Sequence, residues 1–290
     1  MSHIMQVVSG FTESLGLLAL WCVVFALLER LFPAVERKPV KEWGFNLSVS
    51  VLYMATGAVA AVVGNLIGEK LRTWFHGGLI NLKIGKNGGI AQDIAATLLS
   101  LLIFDFFYYW WHRSEHRYPG LWAIHKLHHM DPGINVSTNL RHHWLEDVGR
   151  IPMITIPMAM LFDLSPAAGG AIGFAFSAWT FFIHANLKLS LGWLSWLVDG
   201  PQLHRIHHSK MPEHFDRNFA AFFPILDVIF GTYYHPRRGE FPATGVSDEP
   251  PVTTLRDAAW LPFRSWRRSS PASADAGLDP KPASLSSVAE

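Results

Sequence analysis

Fifteen histidines stand in a chain of 290 residues, and twelve of them fall between His112 and His214. Their spacing gives them chemistry. His112 and His116, in HRSEH, are four apart, so on a helix both imidazoles share a face one turn from each other and can reach one metal ion. In HKLHH, His125 makes i,i+3 and i,i+4 pairs with His128 and His129, while the adjacent two point about 100° apart. Such a helix gives two imidazoles to one ion and offers the third to a neighbouring ion. The same pattern returns in HRIHH as His204, His207 and His208. Two further sites lie between: His142-His143, with Glu146 one turn on, and His184 at the end of an apolar stretch. Asp105 lies seven residues before His112, two turns down the same helical face, where it is expected to take the imidazole N–H and fix the tautomer.

The donor types select the metal. All-imidazole ligation suits iron, copper, zinc or nickel and argues against calcium or magnesium. Structural zinc takes four ligands and catalytic zinc three, so this many histidines supply two ions. Two adjacent redox metals at a membrane surface can activate O2, which a mononuclear hydrolytic zinc does not do. The pattern therefore points to a di-iron oxygenase acting on a lipid C–H bond. Such a bond is not acidic, and side-chain acid–base chemistry cannot open it; the metal pair carries that step while the protein supplies geometry and a dry pocket.

The elements that must hold these residues are legible in the hydropathy. Half the chain is hydrophobic and only 16% is charged, against a usual charged share of about 25%. Apolar stretches near 11–28, 45–68 and 90–111 are each long enough for a membrane-crossing helix. The third ends in the aromatic run from Phe106 to Trp111, suited to the interfacial belt. A fourth apolar region, 151–183, is broken by Asp163, Ser165 and Pro166. It reads as a short or re-entrant hairpin, or as one tilted span with an interfacial segment before it. The aromatic end of the third span and the stretch from Phe174 to Ile183 are candidates to line the dry pocket. The start of the chain lacks the basic region and cleavage site of a signal peptide.

Charge places the histidine side. Arg30, Arg37, Lys38 and Lys41 in the first loop balance Lys70, Arg72, Lys83 and Lys86 in the second. Arg113, Arg117, Lys126, Arg141, Arg150, Arg205, Lys210 and Arg217 tip the histidine face towards the cytoplasm. The expected architecture is thus an all-α, integral-membrane helical bundle over residues 1–268. A cytoplasmic, histidine-rich cap (112–150 and 184–238) holds the dimetal site, and 269–290 reads as a disordered Ser/Ala/Pro-rich tail. Arg113, Arg117, Arg141 and Arg205 read equally as a rim for an acidic electron donor or for anionic headgroups.

Other classes fit less well. A net charge of +1 gives no case for nucleic acid, and the single Cys22 forbids an internal disulfide. A metal transporter places ionisable groups along its spans, whereas here Asp105 is nearly alone there. Glu115 within HRSEH imitates the base of a zinc hydrolase, but the order HExxH is not present.

HRSEH, HKLHH and HRIHHS, in that order between apolar spans, resemble the fatty acid hydroxylase and sterol desaturase superfamily of integral-membrane di-iron enzymes. NVSTNLRHHWLE is similar to the stretch where members carry Arg and then His-Pro-x-Glu: Arg141, His143 and Glu146 match, and Trp144 replaces the proline. The segment from Gln202 to Thr232 resembles the last box, with Asn218, Asp227, Phe230, Gly231 and Thr232 at its marked positions. The resemblance implies ligands at His112, His116, His125, His128, His129, His143, His184, His204, His207 and His208, supported by Glu146, Asn218 and Asp227. It also implies two iron ions, O2 as co-substrate, a lipid substrate and a separate electron donor of ferredoxin or cytochrome type. Hydroxylation is the expected outcome; desaturation uses the same site and begins with the same hydrogen abstraction.

Overall fold

The computed structural model describes residues 2–36, 40–76, 78–80, 89–162, 166–247 and 249–268; the polar break at Asp163 and Ser165, the basic residues Arg37, Lys38, Lys83 and Lys86, and the 269–290 tail lie outside them. The described residues form helices and connecting segments, with no β-strand among them. Three helices are long and apolar enough to cross a membrane: α1 (His3–Leu31), α2 (Val40–Trp74) and α3 (Ile90–Arg117). They contain the three apolar stretches of the sequence. Such runs must be helical at membrane depth, because only the helix satisfies every backbone N–H and C=O within a single segment.

Proline sets the breaks that matter. α3 stops at Arg117 because Pro119 forces the residue before it out of helical geometry: Tyr118 is extended, with φ −104° and ψ 119°. The chain turns there and restarts at once with proline in the first turn of α4 (Pro119–His129). That corner brings the His112/His116 face of α3 against the histidine face of α4. α8 (Pro201–His207) starts in the same way after an extended Gly200.

Residues 145–161 and 166–184 form two helical arms. α5 (Leu145–Arg150) runs through a π-helical turn, Ile151–Thr155, into α6 (Ile156–Leu161). Pro152 and Pro157 each remove a backbone donor inside this arm, and the widened turn lies between their effects. α7 (Pro166–His184) is the second arm. Glu146 at one end and His184 at the other both reach the histidine cluster, so the first arm runs out from it and the second runs back.

The arms pack tightly on the spans. A Cβ on Gly149 would fall inside the Trp111 ring of α3, and one on Gly64 of α2 would lie 2.8 Å from the Thr155 methyl. On the other side, Leu18 and Phe25 of α1, Met54 of α2 and Phe181 of α7 share a buried cluster. The cap is tied to the spans by buried polar groups. Glu29, in the last turn of α1, accepts the backbone N–H of Val136 at 2.7 Å and of Asn186 at 2.8 Å. Asn46 of α2 donates to Asp131 at 2.8 Å and accepts from the Arg141 guanidinium at 3.1 Å. Arg141 and Arg205 are therefore interior residues, each 3% exposed, and do not form a rim; Arg205 donates to the Pro242 carbonyl at 2.9 Å.

A last helix, Leu255–Arg268, closes the fold, its Ala258 and Leu261 buried with Val49 of α2 and Leu127 of α4. Gly149→Val, which forces a branched side chain into the Trp111 ring, is expected to cost about 1–3 kcal/mol or more by overpacking. The check is a lowered melting temperature of the detergent-solubilised protein, with Gly170→Ala, where a Cβ meets nothing within 4 Å, as the neutral comparison.

Candidate metal centre

The structure brings nine of the ten expected histidines together in two adjoining groups: His112, His116, His125, His129 and His207 in one, His128, His184, His204 and His208 in the other. Helical phase explains the division. His125 and His129 are one turn apart on α4 and share a group, whereas His128 turns towards the other. At α8 the pattern is reversed: His204 and His208 share the second group, while His207 crosses to the first. The two groups touch where the His129 and His208 rings stack at 4.3 Å and 19°.

In the second group, the Nε2 atoms of His128 and His184 lie 3.0 Å apart, those of His184 and His204 3.0 Å, and those of His204 and His208 3.2 Å. In the first, the Nε2 atoms of His125 and His129 are 3.1 Å apart. Imidazole nitrogens bound at about 2.1 Å to a common first-row ion and set at right angles would be about 3 Å apart. In the first group Nε2 of His112, His116 and His207 is also buried with no hydrogen-bond partner, a costly state for a polar atom that a metal ion relieves. The donor set thus fits two ions bound by imidazole.

Ring orientation is fixed from behind. His112 donates its Nδ1 proton to the carbonyl of Phe219 at 2.9 Å, His207 to that of Arg217 at 2.9 Å, and His184 to that of Thr180 at 2.7 Å. Each then presents Nε2 inward, as a ligand tautomer requires. Burial pushes the imidazoles of His128, His129, His204 and His208 well below their usual range and His207 to about 3, with neighbouring imidazoles adding to the effect. These rings are neutral and keep their lone pairs.

The adjacent pair resolves against the expectation. His143 uses both nitrogens elsewhere: Nε2–H donates to the Ala259 carbonyl at 3.3 Å, and Nδ1 accepts the Leu145 N–H at 3.2 Å. Its ring stacks on Trp144 at 3.9 Å, leaving no free donor atom for an ion. His142 is the member that reaches the cluster. Its ring stacks on His128 at 4.2 Å and 14°, and its Nδ1–H donates to Glu146 at 2.8 Å. His142, Glu146 and His125 form a third close group. Burial raises the Glu146 carboxyl, but His142 and Arg150 overcome this and hold it well below the ordinary range.

Asp105 does not meet His112. Its carboxylate accepts three backbone N–H groups, from Ala221 at 2.8 Å, Phe222 at 3.0 Å and Phe223 at 2.7 Å. The charge that was expected to fix the imidazole instead fixes the chain segment whose Phe219 carbonyl does so. Asp227 holds the same segment from its other end, accepting from Phe219 N–H at 2.7 Å and Ala220 N–H at 3.0 Å. Asn218, with φ 58°, pairs with the backbone of Tyr234 and touches no ligand ring. His214 lies outside the two groups and contacts Ser209 at 2.9 Å. Two buried carboxylates next to the rings had no assigned supporting role in the sequence: Glu115, 3.6 Å from His125 Nδ1, and Asp199, 3.6 Å from His204 Nδ1. Their signal was present as an acid within the HRSEH box and one just ahead of the HRIHH box.

Two cavities adjoin the cluster. One of about 250 Å³, by the last turn of α3, is lined by His116, His129 and His207 together with Trp122, Phe215 and Asp216. The other, of about 220 Å³, lies among the spans beside Tyr108, whose ring is 5.3 Å from that of His112.

A fatty acid hydroxylase family model matches residues 97–232, the stretch that carries nearly all of this geometry. Alkylglycerol monooxygenase of Xenopus tropicalis is 35% identical over 136 residues, 47% of this chain and 30% of that protein. Ornithine lipid hydroxylase OlsE of Rhizobium tropici is 30% identical over 155 residues, 52% of this chain and 45% of its own length. A very-long-chain aldehyde decarbonylase of Oryza sativa subsp. indica is 28% identical over 140 residues, 44% of this chain and 22% of that protein. The chain thus covers less than half the length of these relatives. No solved structure matches.

His142→Ala is expected to lower the metal content of the purified protein while His143→Ala leaves it unchanged. Metal analysis of the two variants side by side checks this; equal loss from both, with both folded, contradicts the placement.

Proposed function

We propose that this chain, which belongs to the fatty acid hydroxylase superfamily through residues 97–232, is a membrane oxygenase that hydroxylates a C–H bond of a lipid. The observation that carries the reading is the pair of adjoining all-imidazole groups, five and four histidines, built on the end of the membrane-length helix α3 and on α4, α7 and α8. The relatives named for lipid hydroxylation support the same class of reaction.

One iron ion would be held by His112, His116, His125, His129 and His207, and the other by His128, His184, His204 and His208, with His142 and Glu146 against them. Bound iron supplies the activation of O2 that no side chain can provide. The overall change balances as one oxygen atom inserted into the C–H bond and the other released as water, with two electrons and two protons consumed. The electrons would come from a donor of ferredoxin or cytochrome type, expected as a separate protein. The histidine side faces the cytoplasm, in keeping with its excess of arginine and lysine.

The chain's own contribution is orientation and dryness. The carbonyls of Phe219, Arg217 and Thr180 hold the Nδ1 protons of His112, His207 and His184, so the opposite nitrogens face inward throughout. The rings themselves are nearly free of solvent, with His128 3% and His208 1% exposed, which protects a reactive centre from discharge into water.

Protein produced with added iron and purified in detergent is expected to hold about two iron atoms per chain. The His128→Ala/His207→Ala variant should lose them, along with O2-dependent lipid oxidation in a reconstituted assay with a reducing system. One zinc, or no metal after iron-replete growth, would overturn the di-iron reading.

A further inference from the structure

The cavity among the spans has a direction. Three of its walls are helices that leave the cluster side by side, and on two of them polarity falls with distance from the histidines. On α3, Tyr108 stands one turn below His112, and Phe104 one turn further down. On the first arm, Asp147 and Arg150 come at the cluster end, followed by Ile151, Ile154 and Thr155. On α2, the side chain of Asp147 lies against Gly57, and the next residues lining the space are Ala60 and Ala61. Phe176 of α7 closes the apolar part and packs on Phe104 with ring centroids 4.7 Å apart.

The polar end is one side chain from the metal-binding rings. Arg150 donates to Glu146 at 2.6 Å, and Glu146 accepts from His142. Asp147 accepts the Tyr53 hydroxyl at 2.9 Å through one oxygen, while its other oxygen and Arg150 Nε are buried without a hydrogen-bond partner. Ionisable groups at this depth are costly and mark function more often than packing. The far end offers small and apolar side chains, with Thr155 its one hydroxyl-bearing residue. Gly57, Ala61, Phe104 and Phe176 all keep part of their surface exposed, so the space opens sideways between the helices, where acyl chains of a bilayer would lie.

We propose that this cavity seats the lipid substrate. The alkyl chain runs along Ala60 and Ala61 into the membrane, and a hydroxyl- or amide-bearing head sits at the Asp147–Arg150 end. On the oxygenase reading, on which the reaction part of this inference rests, the carbon attacked lies within a few bonds of the polar head. A mid-chain or terminal carbon of the same lipid would lie too far from the histidines. A head of this kind offers a donor to Asp147 and an acceptor to Arg150, which a plain alkane or wax cannot. The cavity beside His116 is the poorer seat for a chain, since three histidines, Ser209, Ser247 and Asp216 contribute to its lining.

Photolabelling tests the orientation without requiring turnover. Full-length, iron-loaded protein in lipid nanodiscs is irradiated with either of two 1-O-hexadecylglycerol probes. One carries a diazirine on the second carbon of the chain, and the other carries it near the chain end. Peptide mapping is expected to place the first label at Tyr108 or on residues 147–151, and the second on α2 from Ala60 onward or on Thr155. Ala60→Phe should lose the chain-end label while keeping its iron. Should that variant fail to fold, the wild-type label positions decide alone. The chain-end label beside Tyr108, or the head label at Trp122 or Phe215, would overturn the proposal. Iron content and O2-dependent oxidation, measured on the same preparation, report separately on the oxygenase reading: correct labelling without oxidation would defeat that reading and leave the binding site standing.

Discussion

The proposed metal centre sets one requirement on this fold: nine imidazoles must turn their lone pairs towards two neighbouring points inside a space nearly free of water. Lone pairs 3.0–3.2 Å apart repel one another unless a cation or a shared proton lies between them. No ring would take up such a position from its own preference. Each is therefore held from outside, through its second nitrogen, its helix phase or a stacked neighbour. The histidines of the two groups come from α3, α4, α7 and α8, so on the metal-binding reading these four helices must keep their relative positions to within a fraction of an ångström.

That rigidity comes from carboxylates spent on backbone. Asp105 and Asp227 together accept five N–H groups between Phe219 and Phe223, a segment without regular structure whose amides would otherwise be buried and unpaired. Glu29 does the same for the chain at Val136 and Asn186, next to the end of α7. A charge-assisted bond to an N–H is stronger than a neutral one and directional. An irregular segment can thereby be as stiff as a helix. The Phe219 carbonyl that orients His112 owes its position to two acids, neither of which touches a histidine.

This arrangement also explains which parts could be read from the sequence. The spacings HxxxH and HxxHH encode their geometry, because helical phase alone decides which imidazoles converge; the crossing of His128 and His207 between groups is a consequence of that phase. The apolar lengths of α1, α2 and α3 are similarly local information. What escaped is non-local. The choice between His142 and His143 depends on where the chain turns before α5, and in the structure Ala259, far along the sequence, takes the His143 proton. Asp105 has the right phase to face His112, yet the amides of Ala221 to Phe223, more than a hundred residues away, occupy its oxygens. Arg141 and Arg205 look like surface charge until Asn46 and Pro242 are known to stand beside them. In each case the motif named the chemistry, and a distant partner decided the assignment.

The two cavities then divide the remaining work by polarity. An alkyl chain loses nothing by moving from the bilayer into a space walled by Ala60, Phe104 and Phe176, since both surroundings are apolar, so only the head group's bonds need select it. The other cavity offers a more polar surface: His116, His129 and His207 line it together with Trp122, Phe215, Ser209 and Asp216. Electrons need only a short path to those rings, not a fitted pocket. On the proposed reading, a donor protein and a lipid would use different cavities beside the same cluster and need not compete. On that reading, a cluster moved deeper would be out of a donor's reach, and one moved outward would lose the lipid chain.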